Sequence, residues 1–353
     1  MAGRIYLDHA STTPILPEAQ AAMAEAFRIW ANPSSPHAEG RAVRAQLEDA
    51  RRRIAAAFDW NGTLAFTSGA TEAIEIVMRR ARAGARLASA VEHPAVLRCE
   101  PDLLLAVGSD GRLDLDSLDA ALGGRERPLV ALMAANNETG VVQPVEQAHE
   151  RVKAAGGLLL VDCAQSAGKL PLPEADFIVL AAHKLGGPPG IGALLVRDPS
   201  SLEAVGGQEG GHRPGTPAVP SILGFAAAAE AGHGWYREAE RLRARLEAGI
   251  AAAGGEVVAA GSSRIATIGA YRMPGVPGAA QMMQLDLAGI AVSAGSACSS
   301  GSLKTSHVLK AMGWSEEAAR EVIRVSFGPA TSEAEVDALL GEWRAMAGKR
   351  RAA

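Results

Sequence analysis

Short, near-continuous apolar runs alternate with amphipathic stretches through the first two hundred residues of the chain. Strand-sized runs fall at 63–67, 86–90, 103–107, 129–135, 157–161, 177–181 and 193–196. Apolar runs without polar alternation suit strands covered on both faces, as in a mainly parallel sheet flanked by helices. Between them, 41–58 places Val43, Leu47, Ile54 and Phe58 at helical spacing, and 72–80 follows a strand as a second helix. A long helical region begins after Ser221, and its second part, 236–253, carries Leu242, Leu246 and Ile250 on one face. From Gly255 onward the strands are weaker and interleaved with loops, until a helix at 333–346 closes the pattern. Helices alternating with strands predict an α/β fold, with a large domain to about residue 235 and a smaller C-terminal one.

Two charged residues end two of these runs. Asp162 closes Leu158-Leu159-Leu160-Val161-Asp162, and Lys184 follows Phe177-Ile178-Val179-Leu180-Ala181-Ala182-His183. Charges at the ends of neighbouring strands meet in the crevice where open α/β sheets hold ligands. A carboxylate to face a pyridinium nitrogen and a lysine to form a Schiff base are the parts a pyridoxal phosphate site needs. Lysine usage sharpens the point. Of 35 basic residues only Lys153, Lys169, Lys184, Lys304, Lys310 and Lys349 are lysines. Arginine cannot replace an amine that must lose its proton.

The remaining chemistry is weaker residue by residue. Thr67-Ser68-Gly69-Ala70-Thr71 joins a strand to a helix, where free amides can meet a phosphate or simply be capped. His93 follows a strand in Glu92-His93-Pro94; it could stack on a ring, shuttle protons at neutral pH, or be an ordinary loop histidine. Asn136-Asn137-Glu138-Thr139-Gly140 is a turn that could touch substrate. Arg324 interrupts the apolar run Val322-Ile323-Arg324-Val325; it could hold a carboxylate, although an outward arginine on an edge strand is the commoner case. Cys298 lies in a stretch with no bulky residue from Val292 to Leu303, which suits a thiol that moves to a site. Cys163, inside a strand, reads as packing, and Cys99 has no supporting context.

Composition bounds the rest. The chain is 48% hydrophobic and only 4% aromatic, with a formal net charge of −4, so no basic surface for nucleic acid is expected. Arg51-Arg52-Arg53 reads as the solvated face of a helix. The apolar runs are too short to span a bilayer and no apolar signal core precedes Asp8, so a cytoplasmic enzyme without membrane contact is expected. Three cysteines at unrelated spacings suggest neither disulfides nor a metal site.

Taken in order, Tyr6-Leu7-Asp8-His9-Ala10-Ser11-Thr12-Thr13-Pro14, Asn32-Pro33-Ser34-Ser35, Ser68-Gly69-Ala70-Thr71-Glu72, Glu92-His93-Pro94, Asn136-Asn137-Glu138-Thr139-Gly140, Asp162-Cys163-Ala164-Gln165-Ser166, His183-Lys184, Arg213-Pro214-Gly215-Thr216, Gly295-Ser296-Ala297-Cys298 and Ile323-Arg324-Val325-Ser326 closely resemble the cysteine desulfurases of the class V aminotransferase family. The resemblance implies the pyridoxal phosphate-dependent transferase fold (aspartate aminotransferase-like, fold type I). A large domain is expected over 14–235, with 1–13 and 236–353 forming the small α/β domain that carries Cys298. It implies that Lys184 binds the cofactor aldehyde, Asp162 pairs with the pyridine nitrogen, Gln165 with the ring hydroxyl, and His93 stacks on the ring. Ala70, Thr71 and His183 would contact the phosphate, with Thr216 reaching it from the second subunit of a homodimer. Asn137, also counted with the cofactor residues, and Arg324 would place the substrate carboxylate. Cys298 would take sulfur from L-cysteine as a persulfide, leaving L-alanine, and pass it to an acceptor protein for iron–sulfur cluster assembly or thio-modification. Related readings on the same cofactor are a selenocysteine lyase and a class V aminotransferase; a scaffold that has lost catalysis is the reading from another class. The chain departs from the family pattern at Ala181, where a serine or threonine phosphate ligand is usual, at Pro189 after the lysine, and in Gly206-Gly207-Gln208-Glu209-Gly210-Gly211, where an arginine is common.

Overall fold

The computed structural model describes residues 3–28, 31–232, 234–294 and 305–352. A two-residue strand, β1 (Ile5–Tyr6), comes first. The main sheet then takes β2 (Thr63–Thr67), β3 (Arg86–Ser89), β4 (Leu103–Leu105), β5 (Leu129–Met133), β6 (Leu158–Asp162), β7 (Phe177–Ala181) and β8 (Gly192–Val196). Their order across the sheet is β2-β8-β7-β6-β5-β3-β4. The β3, β4, β5, β6 and β7 pairings are parallel, while β8 runs antiparallel to both β7 and β2. The predicted strands are all present, and all but β4 have their apolar runs covered on both faces. Leu132, Val161, Leu180 and Leu195 pack on one face; Ala131, Leu160, Val179 and Leu194 pack on the other. At the edge, β4 leaves Leu103 and Leu104 exposed.

Helix Ala38–Ala57 lies on the first face, burying Val43, Leu47, Ala50 and Ile54, with His37 capping its start by accepting from the Gly40 N–H. The expectation of a solvated Arg51-Arg52-Arg53 holds at the exposed Arg52 and fails at Arg51. Arg51 does not face solvent; its guanidinium lies 4.8 Å over the Phe66 ring and pairs with the buried carboxylate of Glu209 at 2.7 Å. That carboxylate also accepts the Phe66 N–H, so the arginine neutralises an acid that the sheet edge had already buried.

The C-terminal part builds a second, antiparallel sheet from β9 (Glu256–Val257), β10 (Ile268–Arg272), β12 (Ser293–Ala294) and β13 (Val322–Ser326), ordered β12-β13-β10-β9, with β11 (Ile290–Ala291) pairing parallel to β1. Helices Tyr236–Ala252 and Glu333–Ala352 cover it through Leu242, Leu246, Ile250, Leu339 and the fully buried Trp343. The chain N-terminus thus belongs to this second core: Leu7 packs there, and Ser326 donates its amide to the Leu7 carbonyl at 2.8 Å. Among the described residues, no helix is long and apolar enough to cross a membrane.

Candidate active site

β6 and β7 are parallel neighbours, so their carboxyl ends open on one edge of the sheet. Asp162 is the last residue of β6, and β7 runs into a single 3-10 turn, Ala182–Lys184, that delivers Lys184. Both residues line a crevice of about 500 Å³. Ala70, Thr71, His93, Asn137, Gln165 and His183 line it too, together with Ala181 and Pro189.

Asp162 is buried, and burial pushes its carboxyl above the usual aspartate range. The Ala164 N–H, which donates to Oδ1 at 2.8 Å, and the charge of Lys184 pull in the opposite direction. Lys184 Nζ donates to the carbonyls of Ala10 and Ser11, the latter at 2.7 Å. Gln165 Nε2 donates to the same Ala10 carbonyl at 2.9 Å, leaving Gln165 Oε1 buried without a hydrogen-bond partner. The N-terminal segment is therefore the wall that orients both side chains, a role the local sequence did not announce.

His93 caps the short helix Pro94–Leu97, its Nδ1 accepting from the Ala95 N–H at 3.1 Å. Burial first, then Lys184 and Arg98, lower its pKa to about 4. At neutral pH the ring is therefore uncharged, and with Nδ1 committed as an acceptor the proton sits on Nε2. With Nδ1 engaged, Nε2 is the ring atom left to exchange a proton. His183, its Nδ1 3.2 Å from Thr12 Oγ1, is likewise lowered to about 4, by burial and then by Lys184.

Ala70 and Thr71 open helix Ala70–Arg80, whose cap residue Gly69 makes no side-chain cap bond. Its first N–H groups thus lack the serine or threonine cap usual at such ends. Glu72 instead turns back to accept the Ser68 N–H and is held by Arg213 Nε at 3.1 Å. Gly192, opposite Thr67 and Ala181 in the sheet, lets this turn approach closely: a Cβ there would lie 2.5 Å from the Leu180 carbonyl oxygen and 2.8 Å from Gly69 Cα.

Arg324 is not on an edge. It sits in β13, between β12 and β10, and is 1% exposed. Its Nη2 donates to Asp8 Oδ1 at 2.8 Å and Ser11 Oγ at 2.6 Å, and its Nη1 donates to the Asn137 carbonyl at 3.0 Å. The outward-facing alternative is thereby overturned: the side chain is held by Asp8, Ser11 and the Asn137 carbonyl. Thr216 is exposed and does not line the crevice of its own chain. Cys298 lies outside the described residues. Of the other cysteines, Cys163 is fully buried with its thiol pushed up to about 12 by burial, and Cys99 is half-buried and raised by the same cause.

Sequence reasoning passed over Glu92. Its side chain is fully buried, Oε1 accepts the Met133 N–H at 2.7 Å, and Oε2 has no partner. It completes the hydrogen bonding of β5 where β3 has already ended. An acid directly before His93, at the end of an apolar run, was the available signal.

The residues suit an aldehyde-bearing aromatic phosphate: an amine, a buried acid opposite, an unpartnered amide oxygen, an uncharged imidazole and a helix start with no side-chain cap. The aminotransferase class-V family profile matches residues 5–339. A cysteine desulfurase of Cereibacter sphaeroides is 40% identical over 96% of this chain and 94% of its own. The IscS-like cysteine desulfurase of Mycobacterium tuberculosis is 37% identical over 95% and 94%. Among solved structures, the NifS-like protein of Rickettsia africae shares a TM-score of 0.90 at 27% identity, across 97% of this chain and 99% of its own. DndA from Streptomyces lividans shares 33% identity and a TM-score of 0.74, across 91% and 99%. Profile, relatives and fold agree with the α/β architecture read from the strands: the chain belongs to the class-V aminotransferase family.

Proposed function

We propose that this protein is a cysteine desulfurase that uses pyridoxal 5'-phosphate to take sulfur from L-cysteine, releasing L-alanine. The observation that carries the reading is the meeting of Asp162 and Lys184 in one crevice of a chain whose relatives are named cysteine desulfurases. When bound, the cofactor supplies an electron sink for the substrate α-carbon.

Lys184 would hold the aldehyde, and its amine would move the α-proton. Asp162 would face the pyridine nitrogen, whose positive charge would favour the carboxylate that burial alone opposes. The unpartnered Gln165 Oε1 would accept the ring hydroxyl, and the neutral His93 would stack on the ring without setting a cation against it. Ala70, Thr71 and His183 would meet the phosphate, with Thr216 joining them from the partner subunit of a homodimer. Asn137 would meet the substrate carboxylate, and Arg324 would back it with a buried positive charge.

Cys298 would attack the substrate sulfur and keep it as a persulfide for an acceptor protein in the cytoplasm. The raised thiols of Cys163 and Cys99 support this choice, because a thiolate is the nucleophile. We place the cofactor domain at 14–235 and the smaller domain, bearing Cys298, at 1–13 and 236–353. The test is to add L-cysteine to the holoprotein, measure alanine, and map the persulfide by mass spectrometry. We expect alanine from the wild type, a persulfide on Cys298, and loss of turnover in Cys298→Ala. Undiminished turnover in that variant would rule the mechanism out.

A further inference from the structure

Lys184 borders two cavities. One is the crevice described above; the other, of about 150 Å³, lies on another side of the lysine and is bordered by Lys169, Thr13, Leu16, Glu18 and Trp235. A water needs roughly 10–15 Å³ of such space, so the second cavity has room for several. We infer that this second cavity is a proton-exchange route for Lys184, and that Lys169 is the group there that accepts the proton Lys184 must shed.

Lys169 is half-buried, yet its amine meets no carboxylate among the described residues. Its Nζ donates one hydrogen bond, to the Gln165 carbonyl at 3.0 Å, although an ammonium carries three donors. Its backbone is fixed by the turn in which its N–H donates to the Ser166 carbonyl at 2.9 Å. The two amines share one scaffold, since Gln165 Nε2 donates to the Ala10 carbonyl that also accepts from Lys184. The charged and titratable groups facing Lys169 are Lys184 from the turn after β7, Glu18 from helix Pro17–Arg28 and His9 from the N-terminal segment. Glu18 is exposed and marks the way to solvent. His9 is lowered to about 4 by burial and then by Lys169, so it adds no charge at neutral pH. Burial and then Lys184 bring Lys169 down to about 7, where an amine can both take and release a proton.

The step is a simple transfer. An N–H bond of the Lys184 ammonium breaks and its electron pair stays on Lys184 nitrogen. The proton crosses the cavity water to the lone pair of Lys169, and then leaves to solvent past Glu18. Lys184 is left as the uncharged amine that attack on a carbonyl requires. Arginine does not lose its proton in proteins, which gives a reason for lysine here in a chain that otherwise favours arginine.

The inference rests on the proposed cofactor chemistry, so its test has a readout apart from cysteine turnover. Apoprotein is mixed with pyridoxal 5'-phosphate across a pH series, and attachment to Lys184 is trapped with borohydride over time. Lys169→Arg keeps the charge and the bond to Gln165 but cannot relay a proton; it should attach about tenfold more slowly at pH 7 and approach the wild type at pH 9. Lys169→Ala should be equally slow and be restored by added ethylamine, which fits the vacated space. A Lys169→Arg protein that matches the wild type at every pH would overturn the relay, as would a slow Lys169→Ala protein that no small amine restores. Were the wild type to make no alanine while Lys169→Arg still slowed attachment, the relay would stand and the proposed activity would fall.

Discussion

Arg324→Met tests whether the buried guanidinium is a structural tie between the N-terminal segment and the turn beside the crevice. Methionine keeps most of the stem volume and removes the charge. What remains is the Asp8 carboxylate, the Ser11 hydroxyl and the Asn137 carbonyl, each without its donor. Removing one partner of a buried ion pair costs about 3–5 kcal/mol. The Asp8 side chain is 19% exposed against 1% for Arg324, so water recovers part of its solvation and we expect about 2–4 kcal/mol. For a chain of 353 residues with about 2.1 cal/mol/K of unfolding entropy per residue, each kcal/mol moves the melting midpoint by about 1.3 °C. The apoprotein variant should therefore melt roughly 3–5 °C below the wild type. Adding Asp8→Asn to it should cost less than the sum of the single changes, because the stranded carboxylate is the main penalty. The assay is calorimetric melting of the four proteins in the cycle. A variant that melts within experimental error of the wild type, or strict additivity in the cycle, would refute the argument.

Two further outcomes follow from the site. Burial, with Asp162 adding to it, raises the Glu92 carboxyl to about 8 against the Met133 N–H that it accepts. A raised acid contributes stability that is complete below the unfolded glutamate range and is lost as pH rises through about 8. Glu92→Gln should thus be near neutral in urea unfolding at pH 5 and more stable than the wild type at pH 9, and equal stabilities at pH 9 would contradict this. Gly192→Ala puts a methyl 2.5 Å from the Leu180 carbonyl oxygen and 2.8 Å from Gly69, so the turn ahead of helix Ala70–Arg80 must shift. Weaker binding of pyridoxal 5'-phosphate by about tenfold or more is expected in an absorbance titration, since misplacement of a positioning group by an ångström is felt strongly.

The apolar runs determined a good deal alone. Strands β2, β3 and β5 to β8 could be read because burial on both faces leaves no polar alternation, and burial is recorded locally in residue type. The placement of Asp162 and Lys184 at strand ends was legible for the same reason, and the ordered motifs pointed to the family. Tertiary structure decided the rest. Arg324 lies on a central strand because β10 and β12 flank β13, and its partners Asp8 and Ser11 come from 316 and 313 positions away. Arg51 found Glu209 across 158 positions, and Lys184 found the carbonyls of Ala10 and Ser11 across more than 170. Glu92 looks like an ordinary charged residue in sequence, and only packing removed the water that would have kept it so. Local patterning specifies which segments are buried; the partners and the dielectric around a buried charge come from chains brought together by folding, which no local window contains.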